Sequence, residues 1–234
     1  MEQAGRSSGI VSRHWFVRLS PMVLALAAAF LCNLPAEVGA APTRPHAHVY
    51  LLRGFINVFS LGMDEIAAEL RRRGIEASVH NHLAGRTLAE EAAAGYKAGT
   101  ERPIILVGHS WGASEVVGMA ARLGELGVPV KLVVALDPIS DLVAAGRVDR
   151  MINLHASRSR VTAGPNFHGN LLNIDVTNRP GVGHFTIDKV PAIQSLVLQY
   201  VQSALRVDAP AVHPSPNPTQ AAVSNPAHEQ PRTQ

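Results

Sequence analysis

The chain has 234 residues, of which 47% are hydrophobic and 17% are charged, and its formal net charge is +3. This length and composition are typical of a globular protein with one good hydrophobic core. Basic and acidic residues are scattered, aromatic residues are few, and Arg71–Arg73 is the only basic cluster, so the sequence argues against a nucleic-acid-binding role.

Residues 1–40 have the pattern of a secretory signal peptide. Three arginines give this segment a positive start, namely Arg6, Arg13 and Arg18. An apolar stretch follows over Leu19–Leu34, and the small residues Val38–Ala40 predict cleavage near Ala40/Ala41. We therefore expect a periplasmic or secreted protein; the alternative is an uncleaved segment that anchors the chain to a membrane. Cys32 lies inside this segment and is the only cysteine, so the cleaved protein would contain no thiolate metal site.

Residues 45–206 are predicted to form one α/β domain, because apolar runs alternate with helical patterns. Strands are predicted at 48–52, 76–80, 104–107, 131–136, 151–155 and 171–176. Helices are predicted at 63–73, 87–98, 113–126 and 187–205, the last starting near Pro191. Apolar strands separated by crossovers predict a mostly parallel sheet with helices on both faces, with its site at the carboxyl ends of the strands. Residues 207–234 carry six prolines among polar residues and predict a disordered tail.

The most informative motif follows the predicted strand at 104–107. That strand ends in Gly108-His109-Ser110-Trp111-Gly112, and a helical pattern starts at once. A strand, a sharp turn and a helix in this order lift a serine hydroxyl onto the rim of a parallel sheet. Gly108 and Gly112 suit the crowded turn, where side chains would collide with neighbouring backbone. Ser110 is therefore the predicted nucleophile rather than a structural turn serine, and the His109 side chain should point away from its hydroxyl.

A serine hydroxyl needs a base within hydrogen-bond reach, and the base needs an orienting acid. His184 is the predicted base, because it lies in a glycine-rich loop between the last predicted strand and the last helix. The alternative is a loop histidine that only caps that helix. Asp137 is the predicted acid, since it ends a strand and precedes Pro138, which should hold it extended. Asp175, near the end of the last predicted strand, is the rival acid.

Two backbone N–H groups are needed to stabilise an oxyanion. Trp111, directly after the nucleophile, should supply one, and Phe55, in the loop after the first strand, should supply the other. Gly54 lets the backbone of that loop approach the site. Arg53 could pair with a carboxylate at the rim or bind an anionic group of a substrate; a structural ion pair is the simpler interpretation.

Several other polar residues have weaker interpretations. Asp188 is expected to be an acid at the start of the last helix, and Asp141 a cap or loop residue. His80 and His82 lie at a strand end, but no third ligand has suitable spacing, so no metal and no other cofactor is expected. The irregular, basic stretch 157–168 is expected to be a loop that shapes the substrate pocket or only a surface excursion.

Together these motifs resemble the α/β-hydrolase superfamily, and within it the small lipase-like and thioesterase-like members. The resemblance covers 45–206 and rests on four short segments: Gly54-Phe55, Gly108–Gly112, Asp137-Pro138 and Gly183–Phe185. The order Ser, Asp, His along the chain is the order of that family. The resemblance implies an α/β-hydrolase-type sheet without a large lid, with Ser110 as nucleophile, His184 as base and Asp137 as acid.

Two positions depart from the pattern of the family. Arg53 stands where many members have histidine, and Asp137 lies one strand earlier than the acid of many members. The function we expect is an exported serine hydrolase that cleaves a carboxylic ester or thioester of a small or lipid-like acyl substrate. An acyltransferase with the same three residues and a non-catalytic binding protein on the same fold remain the alternatives.

Overall fold

The computed structural model describes residues 46–55 and 60–207. The predicted signal peptide and all but the first residue of the predicted tail lie outside the described residues. The strands are β1 (His46–Arg53), β2 (Glu76–Asn81), β3 (Glu101–His109), β4 (Val130–Leu136), β5 (Leu142–His155) and β6 (Val161–Asp175). The helices are α1 (Gly62–Arg72), α2 (Gly85–Ala98), α3 (Trp111–Glu125) and α4 (Pro191–Val207), with a short 3₁₀ helix at His82–Ala84. Within the described ranges, none of these helices is long and apolar enough to cross a bilayer.

All six strands form one parallel sheet in the order β2-β1-β3-β4-β5-β6. The central strands are apolar along their length because both of their faces are covered. Val49 and Leu51 of β1 face one hydrophobic core, while Tyr50 and Leu52 face the other. This alternation follows from the two-residue period of a strand. The predicted fold class, a parallel sheet between two layers, is confirmed.

The two layers are built from different helices. On one face, α1 and α4 bury apolar side chains such as Ile66 and Val201 against the sheet. On the other face, α2 and α3 bury Leu88 and Val116 in the second core. The ends of α1 carry acidic residues in the first turn and arginines in the last, which suits the helix dipole. Helices therefore cover both faces of the sheet.

The two last strands are longer than the sequence predicts, with 14 residues in β5 and 15 in β6. They pair in parallel from Leu142 opposite Val161 to His155 opposite Asp175. Only residues 156–160 connect the end of β5 to the start of β6, and such a linker reaches about 22 Å at most. The start of β6 lies beside the start of β5, which would be about 46 Å from the end of β5 if that strand were straight. Both strands must therefore reverse direction along their length, so the parallel pair needs no crossover helix.

Glycines lie where these strands turn. Gly146 has a φ of 87° and Gly169 a φ of 153°, both in the region that favours glycine. A Cβ on Gly169 would lie 1.6 Å from the Val148 carbonyl oxygen. Ala144 and Val161, in the outer halves of the two strands, are buried in the same core as α3. The expectation of a loop over 157–168 is therefore wrong from residue 161 onward, because these residues complete a ribbon that covers the sheet.

Candidate active site

The turn after β3 holds Ser110 in a backbone conformation that few non-glycine residues adopt. Ser110 has φ 60° and ψ −119° and stands directly before the first residue of α3. Its N–H donates to the Leu136 carbonyl of β4 at 2.9 Å, and its carbonyl accepts the N–H of Ser114 at 3.1 Å. Strain of this kind persists only where surrounding contacts enforce it, and it is frequent at functional sites.

The two motif glycines explain how so sharp a turn fits between a strand and a helix. A Cβ on Gly108 would lie 2.2 Å from the Gly112 carbonyl oxygen, and a Cβ on Gly112 would lie 2.2 Å from the Leu52 carbonyl oxygen. Any larger residue would push α3 away from β1 and β3. The predicted reason for both glycines, close backbone contact, is the one found in the structure.

The structure brings Ser110, His184 and Asp137 together, although 74 residues separate the first two. The Oγ of Ser110 lies 3.0 Å from Nε2 of His184, and Nδ1 of His184 lies 2.7 Å from Oδ2 of Asp137. Since a carboxylate can only accept, Nδ1 of His184 carries a proton, and neutral His184 has its lone pair at Nε2. This is the arrangement in which an imidazole can take the proton of a serine hydroxyl.

Asp137 is completely buried, and hydrogen bonds compensate its charge. Its Oδ1 accepts the backbone N–H groups of Ala156 and Ser157 and the hydroxyl of Ser157, at 2.7, 2.8 and 2.8 Å. Burial alone would raise the pKa of Asp137, but the bonds from Ser157, His184 and Ala156 outweigh it and hold the pKa below its ordinary value. The carboxylate facing His184 is therefore ionised.

The backbone at Asp137 differs from the sequence-based expectation of an extended conformation. Its φ is 48°, in the left-handed region, which aspartate tolerates better than most residues. This turn lets one carboxylate oxygen reach the amides of Ala156 and Ser157 while the other faces His184. Ser157 is a residue whose supporting role sequence reasoning missed, because nothing in the local pattern shows that its N–H and hydroxyl face Asp137.

An open cleft of about 290 Å³ lies over the Ser110 hydroxyl. Four of its lining residues are exposed apolar side chains, with exposed fractions of 45–63%: Phe55, Ile139, Trp111 and Phe185. The rings of Phe55 and Trp111 lie 5.5 Å apart, so the side chains of the two residues predicted to supply the oxyanion N–H groups are neighbours. The N–H of Trp111 lies in the first turn of α3, where helix N–H groups have no intrahelical partner.

The structure places the remaining candidate residues away from this chemistry. Arg53 makes a two-point ion pair with Asp64 of α1, which raises the pKa of the guanidinium, so the simpler structural interpretation fits. The carboxylate of Asp175 accepts the N–H and hydroxyl of Thr177 and does not contact His184. Asp141 lies in the loop before β5 and accepts the N–H of Arg160.

One further expectation, that for Asp188, is corrected in detail. Asp188 is buried and accepts the N–H of Gly62, so it caps the start of α1 rather than the start of α4. His80 bonds the hydroxyl of Ser78, and His82 packs on the rings of Phe55 and Trp111. Among the described residues, no group of three His, Cys, Asp or Glu side chains is placed to hold a metal ion.

No family model and no curated protein matches this chain. Among solved structures, it is similar to a candidate hydrolase of the alpha/beta superfamily from Xanthomonas campestris pv. campestris, with 18% identity, a TM-score of 0.46 and coverage of 68% of this chain and 99% of that one. It is also similar to Est1E from Butyrivibrio proteoclasticus, with 12% identity, a TM-score of 0.49 and coverage of 70% and 90%.

A third similar structure is an alanine variant of YbtT, the type II thioesterase from the yersiniabactin pathway, with 12% identity, a TM-score of 0.41 and coverage of 74% and 96%. At these identities and TM-scores the similarity carries no argument about function, so the function has to be argued from the geometry of the side chains.

Proposed function

We propose that this protein is a serine hydrolase that cleaves a carboxylic ester or thioester through an acyl-enzyme. One observation carries the proposal: Ser110 Oγ, His184 and buried Asp137 form an unbroken hydrogen-bonded series with distances of 3.0 and 2.7 Å. A turn serine without chemistry would need neither a base at its hydroxyl nor an ionised acid behind that base. The strained backbone of Ser110 and the open cleft above it give the same support.

In the first half-reaction, Ser110 Oγ attacks the carbonyl carbon of the substrate while Nε2 of His184 takes the hydroxyl proton. The carbonyl oxygen becomes an oxyanion, for which the N–H groups of Trp111 and Phe55 are the proposed donors. The tetrahedral intermediate then collapses, and the bond to the alcohol or thiol leaving group breaks. His184 gives its proton to that leaving group, and the acyl group remains as an ester on Ser110.

In the second half-reaction, water replaces the leaving group. Nε2 of His184 takes a proton from the water as it attacks the acyl carbon, and the second tetrahedral intermediate releases Ser110 Oγ, which recovers that proton. Asp137 keeps the proton on Nδ1 throughout and stabilises the imidazolium that forms in each half. No step requires a metal or an organic cofactor.

The apolar residues that line the cleft favour a substrate with an apolar acyl group. Exposed apolar surface is presented by Phe55, Trp111, Ile139 and Phe185, and the ionisable residues that line the cleft are His109 and His184. Exposed apolar side chains concentrated around one cleft are typical of a binding site. Export remains part of the proposal and is supported by the sequence pattern of residues 1–40 alone.

A fluorophosphonate probe tests the proposal directly, because it phosphonylates an activated serine hydroxyl. We expect labelling of the wild type, none of Ser110→Ala, and much slower labelling of His184→Ala. Ser114→Ala is the matched control: Ser114 lies one turn further along α3, and its buried hydroxyl has no hydrogen-bond partner. A folded wild type that neither labels nor hydrolyses esters and thioesters of varied acyl length would favour the binding-protein alternative.

A further inference from the structure

A second polar series lies behind the proposed triad. It runs through His109, the first of the two variable residues of the Gly-x-Ser-x-Gly motif, which is 1% exposed. His109 Nε2 lies 2.7 Å from the backbone carbonyl oxygen of His184, and its Nδ1 lies 2.8 Å from Ser60 Oγ. Ser60 Oγ in turn accepts the N–H of Gly54 at 2.8 Å. The series therefore joins the loop after β1 to the loop that carries the base.

The chemistry of the four groups fixes the direction of every bond. The His184 carbonyl can only accept, so His109 Nε2 carries a proton. Burial lowers the pKa of His109, so the ring is neutral and its Nδ1 is an acceptor. The Ser60 hydroxyl must then donate to Nδ1, which leaves its oxygen free to accept from Gly54. Asp188 Oδ1 lies 3.8 Å from Nδ1, beyond hydrogen-bond distance, so Ser60 is the partner.

The ends of this series are the two parts that an acyl transfer site must align. Gly54 directly precedes Phe55, the proposed oxyanion donor, and Gly54 packs against the nucleophile so closely that a Cβ would lie 3.0 Å from Ser110 Cβ. The other end is the backbone of His184, the proposed base. A donor displaced by a fraction of an ångström from the oxyanion loses much of its effect.

We propose that His109 and Ser60 are positioning residues, which hold the oxyanion loop and the base in register with each other. The proposal rests on the hydrolase function proposed above. His109 is 1% exposed, and its ring nitrogens bond Ser60 and the His184 backbone rather than the Ser110 hydroxyl, so it acts through Gly54 on one side and through His184 on the other. The sequence predicts only that the His109 side chain points away from the Ser110 hydroxyl. The positioning role gives a reason for a histidine in the motif.

Ser60→Ala is the primary test, because it removes one hydroxyl and leaves the bond between His109 and His184 in place. We expect kcat to fall about tenfold. Removal of an oxyanion donor lowers kcat by about 10²–10³-fold, and the smaller effect is expected here because the donor is displaced rather than removed. KM should stay within about twofold, because the apolar walls of the cleft are unchanged. Ser114→Ala, the loss of a buried hydroxyl outside the series, should keep the wild-type kcat.

A double-mutant cycle with His109→Leu measures the coupling. If both residues act through one series, the double variant should be about as slow as His109→Leu alone, whereas independent sites would multiply their effects. Should His109→Leu fail to fold, the kcat of Ser60→Ala against that of Ser114→Ala decides by itself. If Ser60→Ala keeps the wild-type kcat, even with a lower Tm, the positioning role is overturned. Labelling of the wild type by the fluorophosphonate probe would still uphold the hydrolase function in that case. An unlabelled, inactive wild type would instead overturn the proposed function.

Discussion

Replacing Asp137 by asparagine changes a single atom of the site, yet it should remove most of the activity. In Asp137→Asn, three donors surround the position of Oδ1: the N–H groups of Ala156 and Ser157 and the hydroxyl of Ser157. These donors fix the amide oxygen at that position, so the amide nitrogen must face His184. That nitrogen can only donate, so Nδ1 of His184 must become the acceptor.

The consequence is a histidine in the wrong tautomer. With its lone pair at Nδ1, His184 presents a proton to Ser110 Oγ, from which Nε2 lies 3.0 Å away, and cannot accept the proton of the hydroxyl. The loss for such a change in a serine triad is about 10⁴-fold in kcat. That factor corresponds to about 5.4 kcal/mol in the activation free energy. The variant keeps all three hydrogen bonds to the oxygen, so it should fold.

The assay compares initial rates of ester hydrolysis and rates of fluorophosphonate labelling, with thermal unfolding as the check on folding. Asp175→Asn is the matched control, because its carboxylate bonds only Thr177 on the surface and should leave kcat unchanged. Asp137 does not hold the His184 tautomer if folded Asp137→Asn keeps kcat within tenfold of the wild type. Loss of activity in Asp175→Asn with retention in Asp137→Asn would make Asp175 the acid.

Gly112→Ala should lower the free energy of unfolding by about 1–3 kcal/mol and abolish labelling, because its Cβ would lie 2.2 Å from the Leu52 carbonyl oxygen. The control Gly118→Ala has open space around its Cβ and should be neutral or stabilising. Equal denaturation curves for the two variants would contradict this. Asp188 has a pKa raised by burial, so its stabilising contribution is present below the ordinary value of 3.8 and is lost as pH rises through the folded-state pKa. Asp188→Asn keeps an acceptor for Gly62 and should therefore gain stability over the wild type as pH rises from 3.8 to 7; parallel curves of stability against pH would argue against this. Arg53→Met should cost less than about 1 kcal/mol in urea denaturation and leave KM unchanged, because Arg53 pairs with half-exposed Asp64. A rise in KM for an anionic substrate would assign Arg53 to the site instead.

The local parts of the site could be predicted from sequence because their constraints are local. The turn at Ser110 needs glycines at fixed distances along the chain, and the strand and helix that flank it have clear periodicities. The same holds for Asp137, which stands at the end of an apolar strand. The positions of these residues at one edge of the sheet follow from the parallel topology.

What the sequence could not predict depends on contacts between distant segments. Asp188 caps a helix 126 residues away, and His109 meets the His184 backbone across 75 residues. The reversal within β5 and β6 is likewise invisible, because nothing local in either segment shows that Ala144 and Val161 share a core with α3. Gly146 and Gly169, which have positive φ in this ribbon, were the available signal.

The most direct test of the central claim is to trap the acyl-enzyme with a slowly hydrolysed ester and to locate the acyl group by peptide mass spectrometry. We predict one acyl group per chain, attached to Ser110 and absent when His184→Ala is treated in the same way. An acyl group on a different residue, or turnover of the ester with no covalent intermediate and with Ser110→Ala fully active, would contradict the account.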